Sequence, residues 1–278
     1  MAGVPALTLN NGNGIPQLGF GVYQIPPPQT AAAVLSAFEI GYRHIDTAQM
    51  YENEKEVGEA VAASGLERGE VFLTSKVNNN RQTREEVLAS FDETLAKLGT
   101  DYVDLMLIHW PLPTVRDFTV AWKALEEVYR EGRARSIGVS NFEPHHIRRL
   151  LAETDIPPSV NQIEVHPYLI QSEVREFDDE HQIVTEAWSP IAQGDVLDDP
   201  VITSVARTVG RTPAQVVLRW HIQRGDVVFP KSVNRERMRE NFALFDFELS
   251  AQDMETISSL DRNGRRGPNP NEFAWVPR

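Results

Sequence analysis

The feature that most constrains this chain is an alternation. Short apolar runs, each followed by a polar turn and an amphipathic stretch, recur along nearly its whole length. The predicted strands are 18–21, 42–45, 71–75, 102–109, 134–139, 160–164, 183–188 and 226–229. Several are continuously apolar. The run from Val103 to Ile108 is broken only by Asp104, as expected of strands covered on both faces. Helix starts between the strands can be named. Thr83 and Glu86 form a capping box, Thr212 is followed by Pro213 at the first helical position, and Asn53, Ser172 and Ser250 offer further caps.

Strands that each lead into a helix, with no low-complexity linker between, predict one (β/α)8 TIM barrel domain over residues 1–278. A doubly wound sheet also alternates, but it usually binds a dinucleotide through G-x-G-x-x-G after its first strand. Here Gly19 and Gly21 are followed by Gln24 where the third glycine should stand, and no Walker A sequence is present. The barrel is the better reading. Residues 6–16 read as an N-terminal hairpin that plugs the barrel's bottom, and an extra helix fits near 200–209. The tail, 262–278, is loop-like and is expected to lie over the barrel mouth, with Trp275 seeking a place for its ring.

Size and charge bound the function. For 31.3 kDa the folded surface should be roughly 12,000 Å², which allows one large core. The net charge of −13 argues against a general nucleic-acid binder, and the absence of cysteine excludes disulfides, thiol nucleophiles and Cys-ligated metals. No signal-like leader or membrane-length apolar run is present, so a cytoplasmic location is expected; a monomer is expected as well. No H-x-H, H-E-x-x-H or G-x-S-x-G occurs, and the His145-His146 pair reads as solvated. No metal is expected.

In such a barrel the chemistry sits at the C-terminal ends of the strands. Read in order, those ends carry Asp46, Lys76, His109, Ser140, Asn141, Gln162, Trp188, Ser189, Lys231 and Ser232. Each has an ordinary reading alone: Asp46 as a turn cap, Lys76 as a solvated lysine, His109 as a packed histidine, Tyr51 as an apolar ring. Together they can do more. A tyrosine hydroxyl is a poor acid at pH 7, a nearby lysine lowers its pKa, and an aspartate keeps that lysine charged. A neutral histidine can orient a substrate oxygen. The set suits proton donation in carbonyl reduction, with the hydride coming from a cofactor. Residues 229–239 concentrate Lys231, Arg235, Arg237 and Arg239 after the last strand, where barrels often bind phosphate.

The sequence resembles the aldo-keto reductases. The matching stretches run from Ile15 to Gly21, Gly41 to Ala48, Tyr51 to Glu54, Asp101 to Pro111, Gly132 to Phe142, Val160 to Pro167 and Phe229 to Val233. It looks most like the bacterial 2,5-diketo-D-gluconate reductase branch, which also has tryptophan at the Trp188 position. The resemblance implies Tyr51 as proton donor, Lys76 lowering its pKa, Asp46 holding Lys76, and His109 orienting the carbonyl. It implies NADPH as cofactor. Ser140, Asn141 and Gln162 would hold the carboxamide and Trp188 would stack on the nicotinamide. Gly21 and the 189–194 loop, with Ser189, Ile191 and Gln193, would line the cofactor. Lys231, Ser232, Val233, Arg237 and Asn241 would take the adenosine end and its 2′-phosphate. The expected pocket is Tyr23, Val77, Asn78, Trp110 and Trp275, with Val77 where many relatives carry tryptophan. The expected partner is a small carbonyl compound. Some relatives are regulatory subunits with little turnover, which is the rival expectation.

Overall fold

Two short strands, β1 (Ala6–Thr8) and β2 (Gly14–Pro16), pair antiparallel with Leu7 opposite Ile15. Asn11 and Asn13 of the intervening turn both donate to the Arg135 carbonyl, tying this hairpin to the bottom of the sheet. The computed structural model describes residues 3–277. After the hairpin come β3 (Phe20–Gly21), β4 (His44–Asp46), β5 (Phe72–Val77), β6 (Leu105–Ile108), β7 (Ile137–Ser140), β8 (Val160–Glu164), β9 (Val184–Trp188) and β10 (Val227–Val228). These are parallel and adjacent in chain order. A parallel bridge between Leu18 and Val228, with Gly19 N–H donating to Val228 O at 2.8 Å, joins first to last. The fold is a (β/α)8 barrel.

Its helices are α1 (Pro27–Ile40), α2 (Glu54–Ala63), α3 (Arg84–Leu98), α4 (Phe118–Arg130), α5 (Pro144–Glu153), α6 (Ser172–Glu180), α7 (Pro200–Val209), α8 (Pro213–Gln223), α9 (Arg235–Phe242) and α10 (Ala251–Ser258). The capping boxes at Thr83, Thr212 and Ser250 are present. Asn53 stands at the N-cap of α2 without a side-chain capping bond, and Ser172 is displaced from the cap of α6. Asn53 spends its amide on Val22 O and Ile25 O, and Gln171, one residue earlier than Ser172, precedes α6. The extra helix falls where the sequence placed it, as α7. The run 102–109 yields only the four residues of β6, because Asp104 is drawn aside to accept from Leu73 N and Arg68.

Strand alternation divides the core. Outward residues such as Leu73, Met106 and Ile163 pack under the helices with Trp122, Phe91 and Leu218. Inward residues Phe72, Leu105, Leu107, Val160 and Val227 form a separate apolar cluster, closed from below by Leu9 and Ile15 of the hairpin region. The accessible surface is 11874 Å², close to the expected value. The expectation of a solvated histidine pair fails at His146. Its Nδ1 accepts from Glu143 N–H, and its ring is buried between Phe118 and Phe142. Among the described residues no helix is long and apolar enough to cross a membrane.

Candidate active site

Above the apolar cluster the same inward positions turn polar. Lys76 follows Phe72 and Thr74 on one face of β5 and is fully buried. Its ammonium donates to both Asp46 oxygens at 2.8 Å, to Thr47 O at 2.9 Å and to the Tyr51 hydroxyl at 3.3 Å. Tyr51 reaches this point because a short 3-10 turn, Gln49–Tyr51, follows β4 directly. Burial pushes the Lys76 pKa down, but Asp46 and Tyr51 outweigh it and the net shift is upward. Lys76 stays charged.

For Tyr51 the balance runs the other way. Burial raises the phenol and Lys76 lowers it; burial wins, leaving the hydroxyl at about 12. The expectation that lysine lowers this pKa thus describes one contribution and not the net result in the free protein. His109 follows β6, its ring 5.7 Å from that of Tyr51 and nearly perpendicular. Burial and then the Lys76 charge hold it well below 6.5, so the imidazole is neutral. Its Nδ1 is buried with no hydrogen-bond partner among the described residues.

The next strands add an amide and hydroxyl shelf. Ser140 Oγ donates to Gln162 O, and Asn141, held at φ 64°, donates to His109 O and accepts from Trp188 Nε1 at 2.8 Å. Gln162 Nε2 bridges Asp46 Oδ2 and Glu186 Oε2, 2.9 Å from each. Ser189, Ala192 and Gln193 take positive φ in the tight turn that includes Ile191. Farther out, Asn234 caps α9 by accepting from Glu236 and Arg237 N–H. Lys231, Val233 and Arg237 are exposed there, while Ser232 and Asn241 are buried.

Comparison with known proteins supplies the family. The model of the Aldo/keto reductase family matches residues 12–262. The chain belongs to that family. An aldo-keto reductase of Mycolicibacterium smegmatis is 53% identical over 98% of this chain and 99% of its own. The methylglyoxal reductase DkgA of Escherichia coli is 44% identical, over 98% of this chain and 99% of its own. A Gox0644 variant solved in complex with NADPH superimposes with TM-score 0.95 at 43% identity, covering 98% of this chain and 99% of the other.

Within the family fold, the expected pocket needs two corrections. Val77 does not line the mouth. As the neighbour of Lys76 in β5 it faces the opposite side of the strand and is fully buried in the core under the helices. Trp275 is not buried either; it remains 52% exposed, held by its backbone carbonyl accepting from Asn79 Nδ2. The tail ring that finds shelter is Phe273, 4.4 Å from Trp110, which the sequence reading passed over. Tyr23 packs against Tyr51, and the Asn78 side chain accepts from Asn79 N. Gly21 is required for backbone packing, since a Cβ there would lie 2.7 Å from Phe229 O.

Sequence reading also missed the tail's anchor. Buried Glu164 accepts from Arg266 N at 2.6 Å and Gly267 N at 2.8 Å, and pairs with His166. Burial raises the Glu164 pKa, but His166 and the two amides outweigh it and hold the carboxylate ionised. Gly267 lies so close to Trp188 that a Cβ would come within 2.4 Å of the indole. The Val160–Pro167 stretch contains Glu164 and His166, but the amides that Glu164 holds lie about a hundred residues away. Among the described residues no cluster of three or more metal-binding side chains occurs.

Proposed function

We propose that this protein reduces small aldehydes and ketones with NADPH, in the 2,5-diketo-D-gluconate reductase branch of the family, and that 2-oxoaldehydes such as methylglyoxal are its best substrates. The reading rests above all on one observation: a Lys76 ammonium clamped by both Asp46 oxygens and 3.3 Å from the Tyr51 hydroxyl. Tyr51 gives its proton to the substrate oxygen. Lys76 stabilises the phenolate left behind, and Asp46 keeps Lys76 charged and in place. Neutral His109 presents an N–H to the same oxygen. A proton on Nδ1 would be a buried donor without an acceptor, so Nε2 carries it.

The donor set suits a phosphorylated dinucleotide. Lys231 and Arg237 form no ion pair among the described residues, and they flank the N-terminus of α9, where an anion is favoured. When bound, NADPH supplies the hydride that no side chain can provide. Ser140, Asn141 and Gln162 hold the carboxamide, Trp188 the ring, and the turn around Ser189, Ile191 and Gln193 covers the diphosphate. Lys231, Ser232, Val233, Arg237 and Asn241 grip the adenosine end. Tyr23, Trp110, Phe273 and Trp275 make a largely apolar mouth for a compact substrate. The name of the Escherichia coli relative, methylglyoxal reductase DkgA, supports the 2-oxoaldehyde substrate, and Trp188 supports the branch.

The test is NADPH oxidation with methylglyoxal, 2,5-diketo-D-gluconate, benzaldehyde and a simple ketone. Highest kcat/KM for methylglyoxal is expected. No turnover with any carbonyl, despite NADPH binding, would favour a regulatory subunit instead.

A further inference from the structure

Glu186 is the least expected residue in the barrel. It is fully buried, sits one inward position below Trp188 on β9, and has one carboxyl oxygen, Oε1, with no partner among the described residues. Its other oxygen meets Gln162 Nε2, whose second proton goes to Asp46, and Asp46 in turn holds Lys76 beside Tyr51. A continuous polar line thus runs from Glu186 to the Tyr51 hydroxyl through the barrel interior.

We propose that Glu186 is a positioning residue of the carbonyl-reduction centre: a buried carboxylic acid that pins the Gln162 amide and, by its charge state, sets how strongly Lys76 supports proton delivery from Tyr51. The inference rests on the reductase reading above.

Two arguments carry it. The first is orientation. The Asp46 carboxylate only accepts, and so does the carbonyl oxygen of the Glu186 acid, so together they hold the nitrogen end of Gln162 toward them. The Gln162 Oε1 receives no hydrogen bond from any described residue, and it is left as the atom that can accept a carboxamide N–H. Without Glu186 the amide loses one of its two restraints.

The second is charge. Burial and the neighbouring Asp46 raise the Glu186 pKa, Gln162 and Lys76 pull it back, and the result is about 8. The charged groups acting on it are Asp46 from β4 and Lys76 from β5; its register partners, Gln162 on β8 and Val227 on β10, are uncharged. Below that pH Glu186 is neutral, and Lys76 and Asp46 form a balanced pair. Above it a second negative charge enters the low-dielectric interior. In reduction the carbonyl gains a hydride at carbon and the Tyr51 proton at oxygen, leaving an alcohol, oxidised cofactor and a phenolate. An ionised Glu186 opposes that phenolate, so proton delivery slows as the pH rises. Tyr51, at about 12, and His109, held well below 6.5, do not titrate in this window. Asp178 also titrates at about 8, but it lies outside the barrel with Asn161 and Thr185.

The experiment is single-turnover reduction of an aldehyde by NADPH-loaded enzyme, from about pH 6 to about pH 10. Wild type and D178N should both slow several-fold as the pH passes about 8. E186Q, the isostere of the neutral acid, should keep most of the low-pH rate and lose the step, and E186L should be slow at every pH. Superimposable wild-type and E186Q profiles would overturn the proposal. A second measurement needs no turnover and no variant. With glutamate carboxyls labelled with carbon-13, one resonance should titrate near 8, far above the usual value of about 4.3. Absence of any such glutamate refutes the buried acid even if the chain proves not to be a reductase.

Discussion

The lower and upper halves of the barrel interior are built by the same strands to opposite ends. β5 contributes Phe72 below and Lys76 above, β8 Val160 below and Gln162 above, and β9 Val184 below and Glu186 above. Below, Leu105, Leu107, Val160 and Val227 meet Leu9 and Ile15 in a plug without a charged member. Above, Asp46, Lys76, His109 and Glu186 are all buried within a few residues of the strand ends. Apolar side chains there would stabilise the fold; ionisable groups withdrawn from water do so only when partnered. The comparison teaches that the lower half supplies rigidity and the upper half holds chemistry that hydrophobic burial alone would not favour.

The sharpest way to break that division is Tyr51→Phe. Loss of the proton donor should cost about 10²–10⁴ in kcat, while the melting temperature and NADPH affinity stay near those of the parent. Retention of more than a tenth of the rate in single turnover would remove Tyr51 from its role. The converse variant is Leu107→Ala in the lower cluster. It should lose about 2–5 kcal/mol in denaturant unfolding and leave kcat nearly unchanged at temperatures where it remains folded. A large drop in kcat there would show that the two halves are not separable.

Smaller effects should map the rim. Arg237→Ala is expected to weaken NADPH about tenfold, through lost charge-assisted bonds, and to leave NADH affinity alone. Equal losses for both cofactors would move Arg237 off the 2′-phosphate. In the tail, Phe273→Ala should shift the kcat/KM ratio between a bulky and a small aldehyde by a few-fold, from loss of an aromatic pair worth about 1 kcal/mol. Trp275→Ala should shift it less, because that ring is half exposed; the opposite order would mean that the mouth closes on Trp275. The smallest effect concerns pH. With His109 held neutral, kcat/KM should show no acid step between about pH 6 and pH 7. A protonation step there that disappears in His109→Asn would place the imidazole in a more open site.

Much of this centre is legible in the sequence, and the exceptions are instructive. Asp46, Lys76 and His109 stand at or next to strand ends, which a parallel barrel must bring to one mouth, whereas Gln162 lies mid-strand in β8 and reaches the site from its inward face. Val77 was misplaced although the signal was present: adjacent residues of a strand face opposite sides, so Val77 could not share a face with Lys76. Phe273 and Trp275 could not be ranked, because a tail without periodicity carries no sign of which ring finds a partner. Glu186 was passed over as a lone acid within Val184-Thr-Glu-Ala-Trp188, although alternation puts it on the face of Trp188; what no local stretch shows is its partner Gln162, 24 residues away.

The chain's sequence determined by itself the elements, their order, the closed parallel sheet and the mouth at which its polar residues gather. These depend on local periodicity, caps and turn residues, which act over a few positions. Only the tertiary structure decided which buried groups touch: the clamp of Asp46 on Lys76, the Gln162 bridge to Glu186, and the hold of Glu164 on the tail. Those partners are 30, 24 and about a hundred residues apart. Their meeting depends on strand register and on the path of the tail, properties of the closed barrel that no local stretch encodes.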